Sequence, residues 1–119
     1  MPAVLLPRAA EQSVAAALIK PTTGLSPYAE AALDSACRRI VDAPAGEQEA
    51  TINGECFAIG TLAGANVIPA AFARRTLAWA AARVPSYDSR RPWRPTELER
   101  KVERAFADGL RHPREVLGA

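Results

Sequence analysis

Arginine carries most of the chemistry open to this chain. Of its 15 basic residues 13 are arginine, with only Lys20 and Lys101 as lysines. Seven arginines crowd one stretch: Arg90, Arg91, Arg94, Arg100, Arg104, Arg111 and Arg114. A guanidinium is a planar fork that matches phosphate or carboxylate with paired N–H donors. Arg100, Arg104 and Arg111 also recur at helical spacing, so they form a stripe that could track a phosphate backbone. Such contacts position a protein on nucleic acid without reading its sequence. The same segment holds Glu97, Glu99, Glu103 and Asp108, and Glu97 and Lys101 are spaced for an i,i+4 ion pair. A solvated, internally paired face is therefore the alternative use of these charges. Trp93, just before the stripe, could stack on a base or serve as a hydrophobic contact at the helix start.

Groups suited to catalysis do not assemble. Glu47, Glu49 and Glu55 are available carboxylates, but Glu49 and Glu55 lie too far round a helix to pair. General acid–base work needs a proton carrier placed beside a substrate cleft, and none is matched here with a nucleophile. His112 is the only histidine and stands beside Pro113 at a helix end. There is no phosphate-binding GxxxxGK[ST] loop and no GxGxxG. Cys37 and Cys56 are far apart, with no CxxC or HExxH spacing to suggest zinc. The chain thus reads as a non-enzyme with no metal and no cofactor, its cysteines acting as small core fillers.

A second group of unusual residues fills Gly46–Gly60, GEQEATINGECFAIG. Asn53 falls mid-helix on a face expected to be half-buried. Asparagine is a poor choice there, because its amide competes for backbone hydrogen bonds. A buried amide must find partners. Asn53 would tie its helix to a loop, either the one before Ser26 or the one after Val84, or it would touch a ligand backbone. Gly60 and Gly64 are one turn apart, which points to a close helix crossing or to a small-residue interaction face.

The elements that position these groups follow from composition. At 119 residues the chain is of single-domain size, and its hydrophobic fraction is 49% with only 6% aromatic. Much of that fraction is alanine, the best helix former. Strand-like alternation is rare, so the fold class is all-α: a compact bundle of four to five helices, with orthogonal or irregular packing. Residues 1–25 read as an N-terminal extension with a short alanine-rich helix over Ala9–Ile19. Residues 26–114 form the helical domain, and 115–119 a tail. Ser26 and Pro27 give the second helix a cap and a first residue, and Ala29, Leu33, Ala36 and Ile40 its inner stripe. The third opens with Glu47 and Glu49 and buries Ile52, Cys56, Ile59 and Ala63, with Phe57 alongside. The fourth starts at Ile68-Pro69, with Ala73, Leu77, Ala80 and Val84 inside and Phe72 and Trp79 on a neighbouring stripe. Pro85–Trp93 is a loop ordered by Tyr87 and Trp93 packing back. The last helix starts at a Thr96–Glu99 capping box, turns Leu98, Val102, Ala105, Phe106 and Leu110 inward, and reaches Gly109 near its C-terminal cap.

Net charge is +2, unevenly spread. Residues 1–82 carry 6 basic and 7 acidic groups (−1), and residues 83–119 carry 9 and 6 (+3). A pI of 8.8 permits contact with phosphate without demanding it. No run of apolar residues approaches the roughly 20 needed to span a membrane. The short apolar run Ala3–Leu6 is broken by Pro7 and is too short for a secretion signal, so a cytoplasmic protein with no membrane partner is expected.

These motifs resemble the helical C-terminal region of bacterial and phage primase proteins, the bifunctional primase–polymerase and Toprim-type primases of mobile elements. The resemblance covers about Tyr28 to Arg114. Gly46, Gln48, Glu49, Ile52, Asn53, Phe57, Ile59 and Gly60 fill the places of that region's glycine, polar pair, Leu-Asn and aromatic-to-Leu-Gly steps. Gly109, Leu110, Pro113 and Arg114 match its closing Gly-Leu-x-x-Pro-Arg phrase. Many members carry Arg-Asn where this chain has Gln48-Glu49, so a cation is replaced by an anion. The resemblance does not include the polymerase or Toprim catalytic domains. It implies an accessory role in DNA replication: a non-catalytic helical module that binds single- or double-stranded DNA, or a neighbouring primase or helicase domain. Arg100, Arg104, Arg111 and Arg114 are the first candidates for DNA contact, with Arg90, Arg91 and Arg94 second. The rival expectation is a protein–protein interaction or homo-oligomerisation domain, using the face of Gly60 and Gly64 with Phe72 or Trp79 as anchors.

Overall fold

A computed structural model describes residues 25–115, and within them the chain forms four α-helices. We label them α1 (Pro27–Asp42), α2 (Gln48–Gly64), α3 (Ala70–Ala81) and α4 (Pro95–Leu110). The all-α bundle expected from composition is what forms. The helix expected over Ala9–Ile19 lies outside the described residues.

Local signals explain most boundaries. Ser26 caps α1, its Oγ accepting from the Ala29 N–H at 3.1 Å, and Pro27 takes the first helical position. The helix stops at Ala43, which Pro44 forces into extended backbone. Gly46 turns the chain into α2 at φ +88°, a left-handed value that glycine adopts without strain. Asn66 does the same at φ 65° between α2 and α3, and asparagine is among the few other residues that tolerate it. The start of α4 corrects the expected capping box. Pro95 is the first helical residue and Arg94 holds the cap position, with no side-chain cap bond. Proline already presets the first turn, so Thr96 is drawn inside the helix and caps nothing.

The core runs through all four helices. Leu33, Ile40, Ile52, Leu62, Leu77, Val102 and Phe106 are its largest fully buried members, with Ile68 from the turn before α3. The C-terminal half of α2 is enclosed on every side, with Ile59 through Ala63 consecutively buried. A helix surrounded in this way is central, and α2 packs against α1, α3 and, most extensively, α4. Cys37 and Cys56 are both buried free thiols, and burial pushes each up to about 12.

The α2–α4 crossing is built from glycine. A Cβ on Gly60 would lie 2.5 Å from the Phe106 carbonyl oxygen and 3.0 Å from the Gly109 Cα. A Cβ on Gly64 would lie 2.7 Å from the Leu110 oxygen. Gly109 meets Phe57 and Gly60 in the same way from the other side. The small-residue face of α2 is therefore filled by α4 of the same chain. Gly109 belongs to that crossing inside the last turn, and the C-cap is Arg111.

Candidate functional site

The arginines on α4 stand opposite its core stripe. Leu98, Val102, Ala105, Phe106 and Gly109 are buried. Arg100, Arg104 and Arg111 lie within about 40° of one another on the far side at 100° per residue. Along the helix axis, however, the seven arginines divide. Arg90, Arg91, Arg94 and Arg100 line one cleft of about 980 Å³ together with Gly46, Glu49 and Trp93. Arg104 lines a separate groove beside Asn53, Gly54 and Phe57. Arg111 is occupied by an ion pair with Asp108. Arg114 lines a third groove with Tyr28 and Ile59, and its backbone N–H is tied to the Thr61 carbonyl at 3.0 Å. The structure thus gathers Arg100 with the three loop arginines and leaves Arg104, Arg111 and Arg114 outside that group.

The Glu97–Lys101 pair expected from spacing does not form, although Arg111 and Asp108 do pair at the end of the same helix. Lys101 reaches across to Glu49 on α2 at 2.7 Å rather than to Glu97. Glu103 takes Arg74 of α3 at 2.8 Å. Among the described residues Arg91, Arg94, Arg100 and Arg104 make no ion pair. Three carboxylates share the cleft wall with its four arginines: Glu49, Asp88 and Glu97. Glu49 is held below the usual carboxylate range by its hydrogen bond from Lys101 and then by the charge of that lysine. Asp88 accepts from the Arg90 backbone N–H at 3.0 Å, with the Arg90 guanidinium at 3.9 Å. Two of the three carboxylates are therefore already engaged, while three of the four guanidinium groups are not.

One amide organises the loop that carries this cleft. Gln48, in the first turn of α2, is buried. Its Nε2 donates to the Pro85 carbonyl at 2.7 Å, and its Oε1 accepts from the Trp93 indole Nε1 at 2.8 Å. Trp93 in turn donates its backbone N–H to the Ser86 Oγ at 2.9 Å. Both ends of the 85–93 loop are thereby fixed to α2 and to each other. The loop–helix tie expected of Asn53 exists, but Gln48 makes it. Asn53 is exposed, because its position turns it away from the Ile52, Cys56 and Ile59 stripe. A signal was present in the sequence: Gln48 stands four residues before Ile52 and eight before Cys56, in register with the core.

The remaining motif residues sort into structure and surface. Phe57 is 39% exposed and tilts against the His112 ring at 5.9 Å. Tyr87 is 56% exposed and does not pack back as expected, whereas Trp93 does. Phe72 and Trp79 do not stand out as anchors. Both are partly buried against the core, with the Arg75 guanidinium 5.9 Å from the Phe72 ring and Arg83 3.6 Å from the Trp79 ring. Among the described residues no group of three or more His, Cys, Asp or Glu side chains could hold a metal ion, and no helix is long and apolar enough to cross a membrane. Comparison with family models, curated proteins and solved structures finds no match to this chain.

Proposed function

We propose that this chain is a non-catalytic helical module that binds the phosphate backbone of nucleic acid through the cleft between the 85–93 loop and α4. The observation that carries this reading is the convergence of Arg90, Arg91, Arg94 and Arg100 on one cleft wall, three of them without an ion pair among the described residues. Guanidinium forks without carboxylate partners keep their donors available for phosphate oxygens. The resemblance to the primase C-terminal helical region supports DNA as the nucleic acid and a replication accessory as the role. The self-association alternative is weaker, because the residues that motivated it are engaged within the chain: Gly60 and Gly64 by α4, Phe72 and Trp79 by the core and by arginine.

Fluorescence anisotropy with labelled DNA tests the reading. Four phosphate contacts on a single strand give a log–log salt slope of about −3, or roughly a 50-fold loss of affinity from 50 to 200 mM salt. Arg91→Ala with Arg94→Ala and Arg100→Ala is expected to abolish most binding and flatten the slope. Arg104→Ala with Arg111→Ala is expected to change it little. Absence of binding at low salt, or a triple variant that binds like the parent, would overturn the proposal.

A further inference from the structure

The cleft holds one side chain that phosphate binding alone does not require. Trp93 lies in its wall, between Pro92 and Arg94, with Arg91 two residues away and Arg100 contributed by α4. The indole is not free to reorient. Its Nε1–H is directed at the Gln48 Oε1 at 2.8 Å, its backbone N–H is held by Ser86, and Gln48 itself is locked by Pro85. An aromatic ring anchored by its polar edge, partly buried against the core, with the Lys101 ammonium 5.9 Å from its centroid and four arginines lining the same cleft, has the composition of a stacking platform in a positive groove. Its preset orientation lowers the ordering cost of binding.

We infer that the cleft takes a single strand, with an unpaired base laid on Trp93 and the adjoining phosphates on Arg91, Arg94 and Arg100. This rests on the phosphate-binding reading above and deepens it by naming the form of nucleic acid. A duplex keeps its bases stacked on one another and offers only its outer phosphates to such a site. A single strand offers both groups, and every base has a face that can stack, so little sequence preference follows. Glu49 and Glu97 on the same wall add a cost for dense phosphate, which again favours the less charged single strand over a duplex.

The test uses the full chain carrying Trp79→Phe, which leaves Trp93 as the single tryptophan of the two in the sequence. Trp79 lies outside the cleft. Tryptophan emission and affinity are followed at low salt with three probes: an oligo-dT strand, an abasic strand of the same length, and a duplex. The expected result is quenching by oligo-dT, no quenching by the abasic strand, and at least tenfold tighter binding of oligo-dT than of either other probe. Trp93→Leu in the parent chain, with helicity checked by circular dichroism, is expected to bring oligo-dT affinity down to the abasic level. Equal affinity for oligo-dT and the abasic strand with unchanged Trp93 emission overturns the single-strand inference and leaves the phosphate reading standing. Failure of all three probes to bind overturns both. If Trp93→Leu does not fold, the emission and abasic comparisons still decide.

Discussion

Two glycines in α2 should respond in opposite directions to the same substitution. Glycine inside a helix costs about 1 kcal/mol relative to alanine, so Gly→Ala has a common favourable part wherever space allows. At Gly54 nothing lies within 4 Å of a built Cβ, and the position is exposed. Gly54→Ala should therefore stabilise the fold by about 0.5–1 kcal/mol. At Gly60 the new methyl would meet the Phe106 carbonyl oxygen at 2.5 Å and the Leu110 nitrogen at 3.2 Å. All of these are backbone atoms of α4, so no side chain can swing aside. Ordinary contact needs about 3.4 Å or more, and the two helices must part by nearly 1 Å along their largest shared face. Overpacking of this kind costs about 1–3 kcal/mol or more, which exceeds the propensity gain. The propensity gain is common to both variants, so they should differ by the overpacking cost, about 1–3 kcal/mol. For a domain of this size that separates their melting temperatures by about 4–24 °C, at about 4–8 °C per kcal/mol. Thermal unfolding followed by circular dichroism measures this directly. Equal upward shifts in both variants would refute the close α2–α4 crossing.

Three further outcomes follow from the same geometry. Gln48→Leu strands the Trp93 indole N–H and the Pro85 carbonyl, and should cost about 1–3 kcal/mol in urea unfolding, with a blunted near-ultraviolet tryptophan signal. The thiols of Cys37 and Cys56 are raised to about 12 in the fold against 9 when unfolded, so the native state keeps protons that the unfolded chain loses. Stability is then unaffected below about pH 9 and falls as pH rises toward 12. The fall between pH 9 and 10 is roughly 1 kcal/mol per thiol, and urea titrations should show a shallower fall in Cys56→Ala. Glu49→Gln removes an anion from the cleft wall and releases Lys101, so affinity for single-stranded DNA at low salt should rise several-fold in anisotropy titrations, where a fall would contradict the placement of Glu49.

The helices were legible because their signals are local. Ser26-Pro27, the spacing of Leu33, Ala36 and Ile40, and the glycine pair Gly60 and Gly64 all state their roles within a few residues. The site was legible only in outline. Helical spacing put Arg100, Arg104 and Arg111 on one face, which the structure keeps. It could not show that the 85–93 loop folds back beside Arg100 and so brings Arg90, Arg91 and Arg94 to it. That fold-back depends on Gln48, which lies 37 residues from Pro85 and 45 from Trp93. Lys101 illustrates the same limit. Its neighbour at i−4 suggested a pair within the helix, yet Glu49, 52 residues away, is the partner. Asn53 departs from expectation for a different reason: at 100° per residue it stands about 100° from Ile52 and about 60° from Cys56, off the buried stripe and exposed.

The double use of the Gln48 amide bears on how relatives of this chain could be recognised. One end of the group gives a hydrogen bond and the other receives one. Glutamate would lose the donor, and leucine or methionine would lose both. An indole is likewise needed at 93 to supply the edge N–H. Neither position can therefore drift alone, and sequences sharing this architecture should keep or exchange Gln48 and Trp93 together. Arginines on a solvated face can be gained or lost one at a time. The glutamine–tryptophan couple is thus the more discriminating label for descent, although neither residue would draw notice in a search weighted toward charge.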